Sequence, residues 1–437
     1  MRKILIAYLK TSLLLRITVG FAAGAIVGTV LWLFGGNLSE VLLPYIAPFG
    51  TLLINLLKMI VIPVIFFSII SGAAQLSLQN FGRVGLKVII WYLLTSFLAA
   101  ILGASVALLV NPGSRTTLAG WEKMITSSGI TPQTSGAATN LRSNFAQLIL
   151  SMFQNPFEAL ATNNFLAIIV FSLLFGLALR RLIDLEQKQE HQNNLNFILT
   201  ITTVLRDVVF KIVDWILEYS PIGVFALTLT NFSLYGKNII GPYVSVVTGI
   251  ISGILIMIGV IYPLLMKIFS RRNPYKIMQK MDDAILTAFI TRSSAATLPV
   301  TFRTMQTHLK VKSELTSFSL PLGATINMDG VCIHLPMFAV LAANLFGIDM
   351  NLHNLIVLVI TTVLASIGAG GVPGGSLMLL FVILQALGLN ATQVSLIVAL
   401  ATGINPILDM FETANNVTGD MVCTYVVAQR EGMITDN

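Results

Sequence analysis

The sequence predicts an all-α polytopic membrane protein, eight transmembrane helices with two re-entrant helical hairpins, and three observations predict it. Of the 437 residues, 55% are hydrophobic and only 10% charged, with a mean hydropathy of +0.85, which leaves too little polar surface to wrap one water-soluble core of that size. Apolar stretches long enough to cross a hydrocarbon core of roughly 30 Å, which takes about 20 helical residues, recur along nearly the whole chain. They leave a single membrane domain over 1–437 and no room for a soluble one. Two further apolar stretches are interrupted near their middles by helix-breaking residues.

In chain order, apolar runs at about 12–34, 43–73, 84–110, 157–180, 197–222 and 240–269 predict six spanning helices, several longer than a bilayer needs and therefore tilted. The first run has no small-residue cleavage site behind it, so it is a retained helix rather than a removed signal. The segment 276–306 is broken by Ser293, Ser294 and Pro299, and the segment 352–388 by five glycines between 368 and 375 together with Pro373. Neither reads as one continuous helix. The runs 314–347 and 390–428 supply the last two long helices.

Charge follows topology. Arg2, Lys3, Lys10 and Arg16 lie at the first span, Arg180, Arg181 and Lys188 follow a middle one, and Lys267, Arg271, Arg272, Lys276 and Lys280 form a third cluster. These mark the cytoplasmic side of an inner (plasma) membrane, with both termini cytoplasmic. The polar segment 111–155 holds only Arg115, Lys123 and Arg142, as a loop on the opposite face should. A net charge of +7 would suit nucleic acid, but no basic stripe interleaved with aromatics is present, so no nucleic-acid partner is expected. Cys332 and Cys423 lie in apolar runs and read as buried thiols.

Backbone that leaves the helix inside a membrane must find its hydrogen bonds in protein, water or ligand, because lipid offers none. Gly and Pro are common in membrane helices, which accounts for a lone one. Two clustered breaks flanking one helix point instead to a lined cavity, with half-helix N-termini facing an anionic group and freed carbonyls facing a cation. Ionisable residues at membrane depth, Asp329 in one long helix and Asp409, Glu412 and Asp420 in the other, mark the same cavity. Asp409, Glu412, Thr413, Asn416 and Asp420 fall along one helix face, a column of oxygens. Asn327 precedes Asp329 by two, and Tyr92, Thr95 and Ser96 add hydroxyls at helical spacing. Carboxylates, amides, hydroxyls and carbonyls are what a hard cation requires in place of its water. His191, His308, His334 and His353 are scattered and read as packing or loop positions.

The order Tyr92-x-x-Thr95-Ser96, then Thr291-Arg292-Ser293-Ser294-Ala295-Ala296-Thr297-Leu298-Pro299, then Asn327-Met328-Asp329-Gly330, then Gly370-Gly371-Val372-Pro373-Gly374, then Asp409 through Asp420, resembles the dicarboxylate/amino acid:cation symporter family, the glutamate transporter fold. The likeness covers essentially the whole chain, and five motifs in order are specific where one would not be. It implies an inverted-repeat, elevator-type transporter assembled as a homotrimer. The first, second, fourth and fifth helices (about 1–80 and 156–230) would form a static scaffold. The rest (about 81–110 and 240–430) would form a sliding transport part gated by the second hairpin. Sodium ions would be co-transported, with no organic cofactor, and the partners would be a small amino acid and membrane lipid.

By the same resemblance, Asp409 would hold the substrate amino group, while Asn416, Thr413 and the backbone at Ser294 and Val372 would hold its α-carboxylate. Arg292, Ser293, Met328, Val331 and Glu412 complete the candidate substrate pocket. One sodium would sit with Gly323, Asn327, Asn416 and Asp420, and a second with backbone carbonyls near Thr325, Met328, Ser366 and Ile367. A third would use Tyr92, Thr95, Ser96, Asn327 and Asp329.

Departures from the family pattern set the substrate expectation. Glutamate and aspartate carriers place arginine at the position of Glu412, where its fork pairs with a substrate carboxylate; they have threonine at Val331 and aspartate at Asn405. Glu412-Thr413-Ala414 resembles the bacterial serine/threonine:sodium branch, whereas Asp329 resembles the acidic-substrate branch. The expected substrate is a neutral, serine/threonine-like amino acid. Glu412 either accepts a hydrogen bond from a substrate hydroxyl or forms a buried ion pair with Arg292 and touches no substrate. Within the same class stand sodium- or proton-coupled carriers of glutamate/aspartate, dicarboxylate or cystine. Lys58, near Pro63, is assigned no role.

An ion channel also uses buried oxygens and broken helices, but filters repeat one loop around an axis, whereas these two hairpins are unlike each other. An enzyme with Ser293 or Ser294 as nucleophile and His334 or Asp329 as partner lacks a Gly-x-Ser-x-Gly elbow and a paired base, so no enzymatic activity is expected. Proton coupling through Glu412 or Asp420 is weighed against the Tyr92, Thr95, Ser96, Asn327 and Asp329 set, which favours sodium.

Overall fold

A computed structural model of the chain describes residues 11–74, 78–114, 150, 152–162, 164–186 and 188–435. Among them every extended element is helical, and the only β pairing is a single antiparallel bridge between Val311 and Ile434. Arg2, Lys3 and Lys10 of the N-terminal charge cluster, and Arg115, Lys123 and Arg142 of the polar loop, lie outside the described residues.

The first half of the chain forms α1 (Leu13–Phe34), α2 (Asn37–Ala74), α3 (Leu78–Val110), the short α4 (Pro156–Thr162), α5 (Phe165–Leu185) and α6 (Gln189–Tyr235). The helix expected over 197–222 is thus a 47-residue rod that runs straight through Pro221. Helix α1 lies along α6, and glycine lets it do so: a Cβ at Gly20, Gly24 or Gly28 would come within 2.5–2.6 Å of the carbonyl oxygens of Pro221, Phe225 and Leu229. Small residues at every fourth position give close backbone approach where lipid supplies no hydrophobic drive for association. The buried Arg16 adds a two-pronged bond to Glu218, with its Nη1 2.8 Å from Oε2. Helices α2 and α5 pack on the same group.

The second half forms α7 (Ile240–Ile256), α8 (Tyr262–Ser270), α9 (Pro274–Met278), α10 (Asp282–Thr291), α11 (Ser294–Arg303), α12 (Ser313–Ile326), α13 (Asp329–Phe346), α14 (Leu352–Ser366), α15 (Gly375–Ala386) and α16 (Ala391–Arg430). These, with α3, pack mainly on one another, and α16 is buried along most of its length. The run expected as one helix over 240–269 contains a π turn, Met257–Ile261, between α7 and α8. Pro263 has no N–H for the carbonyl of Gly259, which accepts the Tyr275 hydroxyl instead (3.1 Å).

A second correction concerns the helix expected over 314–347. It is two half-helices, α12 and α13, separated at Asn327 and Met328, whose backbone leaves the helical region. Nothing in the local sequence breaks it; Asn327 is held out of the helix by long-range side-chain bonds described below. Both interrupted segments break where expected. Arg292 ends α10 in the left-handed region (φ 55°), and extended Ser293 caps α11 by accepting the Ala296 N–H (3.2 Å). Between α14 and α15, Gly370, Gly371 and Gly374 take positive φ, which other residues rarely adopt.

By length and composition, six helical stretches among the described residues can cross a membrane: Leu13–Phe34, Val41–Ala74, Arg83–Val110, Ile240–Ser270, Ser313–Phe346 and Ala391–Arg430. The two remaining expected spans fall on α5 and α6.

Candidate functional site

Three helix breaks converge. Ser293 at the first hairpin tip donates its hydroxyl to the Gly371 carbonyl of the second (3.0 Å), and the Ala295 N–H reaches the same oxygen (3.4 Å). Gly371 also presses on the end of α12, since a side chain there would overlap the Ala324 carbonyl and approach Met328. The tips therefore meet each other and the α12–α13 break.

Helix α16 runs beside this junction and offers it polar groups one turn apart. Asp409 accepts the Gly374 N–H (3.2 Å), and the Arg292 guanidinium stands 4.0 Å from the same oxygen. Thr413 donates to the Asp409 carbonyl (2.8 Å). Asn416 accepts the Gly330 N–H (2.7 Å) at the start of α13 and sets its amide against the Met328 sulfur (3.3 Å). Gly330 is required by proximity, because a Cβ there would lie 2.6 Å from the Glu412 Cα. Ser294 is buried and its hydroxyl has no hydrogen-bond partner among the described residues. Val331 is buried and Val372 half-buried.

A turn or more further along α16 lies a second cluster, joined to the first through Asn416. Asp329, 0% exposed, accepts the hydroxyls of Ser96 (2.9 Å) and Tyr262 (2.7 Å). Asn327 accepts from Thr95 (3.2 Å) and donates to Asp420 (3.0 Å), which explains why it leaves the helix. Tyr92 donates to the Ser319 carbonyl (2.8 Å), and a Cβ on Gly323 would sit 2.8 Å from the Tyr92 hydroxyl and 2.7 Å from the Asp420 Cγ. Among the described residues no lysine, arginine or histidine forms an ion pair with Asp329 or Asp420. Two buried carboxylates without a basic partner, ringed by hydroxyls, amides and freed carbonyls, are a donor set for a hard cation.

The structure brings together Tyr92, Thr95, Ser96, Gly323, Asn327, Asp329, Asn416 and Asp420 as the sequence suggests. Of the expected second-sodium group, a set of backbone carbonyls, Thr325 and Ser366 turn their hydroxyls back to the Pro321 and Val363 carbonyls of their own helices, and Ile367 caps α14.

One expected pairing is corrected. Arg292 faces Asp409 and not Glu412; Glu412 instead meets His334 of α13, with Nδ1 2.6 Å from Oε1. His334, read from sequence as a packing residue, is thus part of a buried acid–imidazole contact. Tyr262 and Gly374 were also missed by sequence reasoning. His334 carried a usable signal, an ionisable side chain five residues after Asp329 in a membrane helix; Tyr262 carried none beyond a lone hydroxyl in an apolar run.

Between this site and the first half of the chain lies a narrow cleft. Leu13, Ile17, Leu53 and Leu57 line one wall, Arg292 and Asp409 the other.

The profile of the sodium:dicarboxylate symporter family matches residues 13–430. The chain is 31% identical to the human excitatory amino acid transporter 3, over 96% of this chain and 86% of that protein. It is likewise 31% identical to a serine/threonine transporter of Bifidobacterium adolescentis, over 95% and 89%, and 30% identical to the human neutral amino acid transporter A, over 94% and 81%.

Proposed function

We propose, since the chain belongs to the sodium:dicarboxylate symporter family, that it is a membrane-embedded secondary carrier that couples sodium entry to uptake of a neutral, serine/threonine-like amino acid. The observation that carries the coupling is the pair of buried carboxylates, Asp329 and Asp420, with oxygen ligands and no basic partner among the described residues. Leaving such charges uncompensated costs several kcal/mol, and a sodium ion supplies the missing charge. The passenger would lie between the hairpin tips and α16, its ammonium at Asp409 and its carboxylate at Asn416, Thr413 and the backbone of Ser294 and Val372.

Neutral specificity is supported by Glu412, which would repel a substrate carboxylate. In this reading eight helices cross the membrane, both hairpins re-enter it, and the termini are cytoplasmic. Helices α1, α2, α5 and α6 would be the scaffold of a homotrimer, and the remainder an elevator that slides past it with the second hairpin as gate. The cleft between the two groups is where such sliding would occur.

Arg292 favours a second reading, an acidic passenger whose side-chain carboxylate binds that guanidinium. Uptake into vesicles placed in sodium-containing or sodium-free medium, with serine, threonine, alanine, aspartate and cystine as competitors, separates the two. Serine and threonine should compete only where a sodium gradient is present. Tight competition by aspartate alone would replace the neutral reading by the acidic one, and uptake without sodium would remove the coupling.

A further inference from the structure

We propose that His334 is a positioning residue for the passenger's side chain, fixing the Glu412 carboxyl so that one oxygen remains to accept a hydrogen bond from a substrate hydroxyl. This rests on the neutral-carrier reading and names the chemical class within it, a hydroxylated zwitterionic amino acid.

The pair is sealed inside the protein, Glu412 at 1% and His334 at 0% exposure. Its 2.6 Å contact lies off the line of a regular hydrogen bond, so neither carboxylate oxygen and neither ring nitrogen has a regular partner among the described residues. A buried acceptor left unmade is expensive, more so when charged. The subsite is incomplete until a donor arrives.

Nearby donors are committed elsewhere. The Thr413 hydroxyl serves the Asp409 carbonyl, the Asn416 amide faces Met328, and Arg292 faces Asp409. A passenger held by its ammonium at Asp409 has Glu412 three residues further along the same helix, at a Cβ spacing of about 5–6 Å. That span suits the side-chain hydroxyl of a small amino acid. An acidic side chain there would set two carboxylates together.

The imidazole is itself held. The Phe338 ring packs on it with centroids 4.9 Å apart, and Gly330 brings the α16 backbone at Glu412 against α13. The imidazole, packed by Phe338 and 2.6 Å from Glu412 Oε1, restricts where that oxygen can sit.

The test is the ratio of KM values for serine and alanine, passengers that differ by one hydroxyl, measured in proteoliposomes with a sodium gradient. Wild type should favour serine by about tenfold or more, the worth of one hydrogen bond to a charged acceptor. His334→Phe keeps an aromatic ring against Phe338 but cannot bond the carboxyl, and should bring the ratio to within about twofold of one. His334→Gln, which retains a donor, should restore part of the preference. A merely structural role would move both KM values together and leave the ratio alone. Should His334→Phe fail to reach the membrane, Glu412→Met reads the pair from its other side and should also abolish the preference.

A preference retained in either variant overturns the proposal, as does a wild type with equal KM for both passengers. Failure of wild type to concentrate either on a sodium gradient overturns the carrier reading itself.

Discussion

Helix α16 carries two acidic regions built on opposite principles. Around Asp420, carboxylates meet only neutral partners in close, regular hydrogen bonds: 2.7 and 2.9 Å at Asp329 and 3.0 Å at Asp420. Around Asp409 and Glu412, carboxylates meet basic side chains, but loosely, at 4.0 Å from Arg292 and off-line at His334. The first arrangement is rigid and short of positive charge, as a site for an ion of fixed radius should be. The second has its charges partly answered and its hydrogen bonds incomplete, as a site for a passenger with its own donors should be. In the proposed reading, cation and passenger would be divided along one helix, with Asn416 and the α12–α13 break between them.

The comparison breaks most sharply at Asp420. Asp420→Asn removes half the uncompensated charge and should raise the sodium concentration for half-maximal uptake by roughly thirtyfold, the equivalent of about 2 kcal/mol. Unchanged sodium dependence would end the division proposed here. Asp409→Asn should act in the other region. It weakens the ammonium contact and should raise the passenger's KM about tenfold, while sodium binding without passenger, read as sodium-dependent protection of an amide or a tryptophan signal, shifts far less. A sodium shift as large as that of Asp420→Asn would merge the two regions into one.

The two regions differed equally in how legible they were. The cluster around Asp329 and Asp420 could be read because its residue types are few and expensive in a membrane: Asp329, Asp420 and the Tyr92, Thr95, Ser96 set all stand out against apolar sequence. Both hairpin breaks were legible for the same reason, as clustered serine, proline and glycine. The α12–α13 break was not, since Asn327 is a mild residue locally and leaves the helix only because Thr95 and Asp420 lie far away in sequence. Partner choice in the passenger region was equally hidden. Arg292 stands at a turn where φ is positive, and the direction that turn sends its side chain decides for Asp409 over Glu412.

Effects smaller than that of Asp420→Asn sharpen the boundary. Tyr262→Phe deletes one hydroxyl from Asp329 and leaves Ser96 in place, so the carboxylate keeps part of its shell. The expected rise in half-saturating sodium is about twelvefold, one hydrogen bond to a charged group at about 1.5 kcal/mol, with the serine-to-alanine ratio unchanged. A change in that ratio would mean that Tyr262, which also touches the Asn415 carbonyl (3.4 Å), communicates with the passenger through α16. Weakest of all should be Arg16→Gln between α1 and α6, where the Glu218 side chain is 52% exposed. Solvent screening limits such a pair to less than about 1 kcal/mol, so unfolding in detergent should move by a few degrees at most. Neither the sodium nor the passenger constant should shift, because the pair belongs to the group of helices expected to stay still. A change in maximal uptake rate at constant KM would show instead that the ends of α1 and α6 move during the cycle, and would redraw the line between the two groups of helices at their first contact.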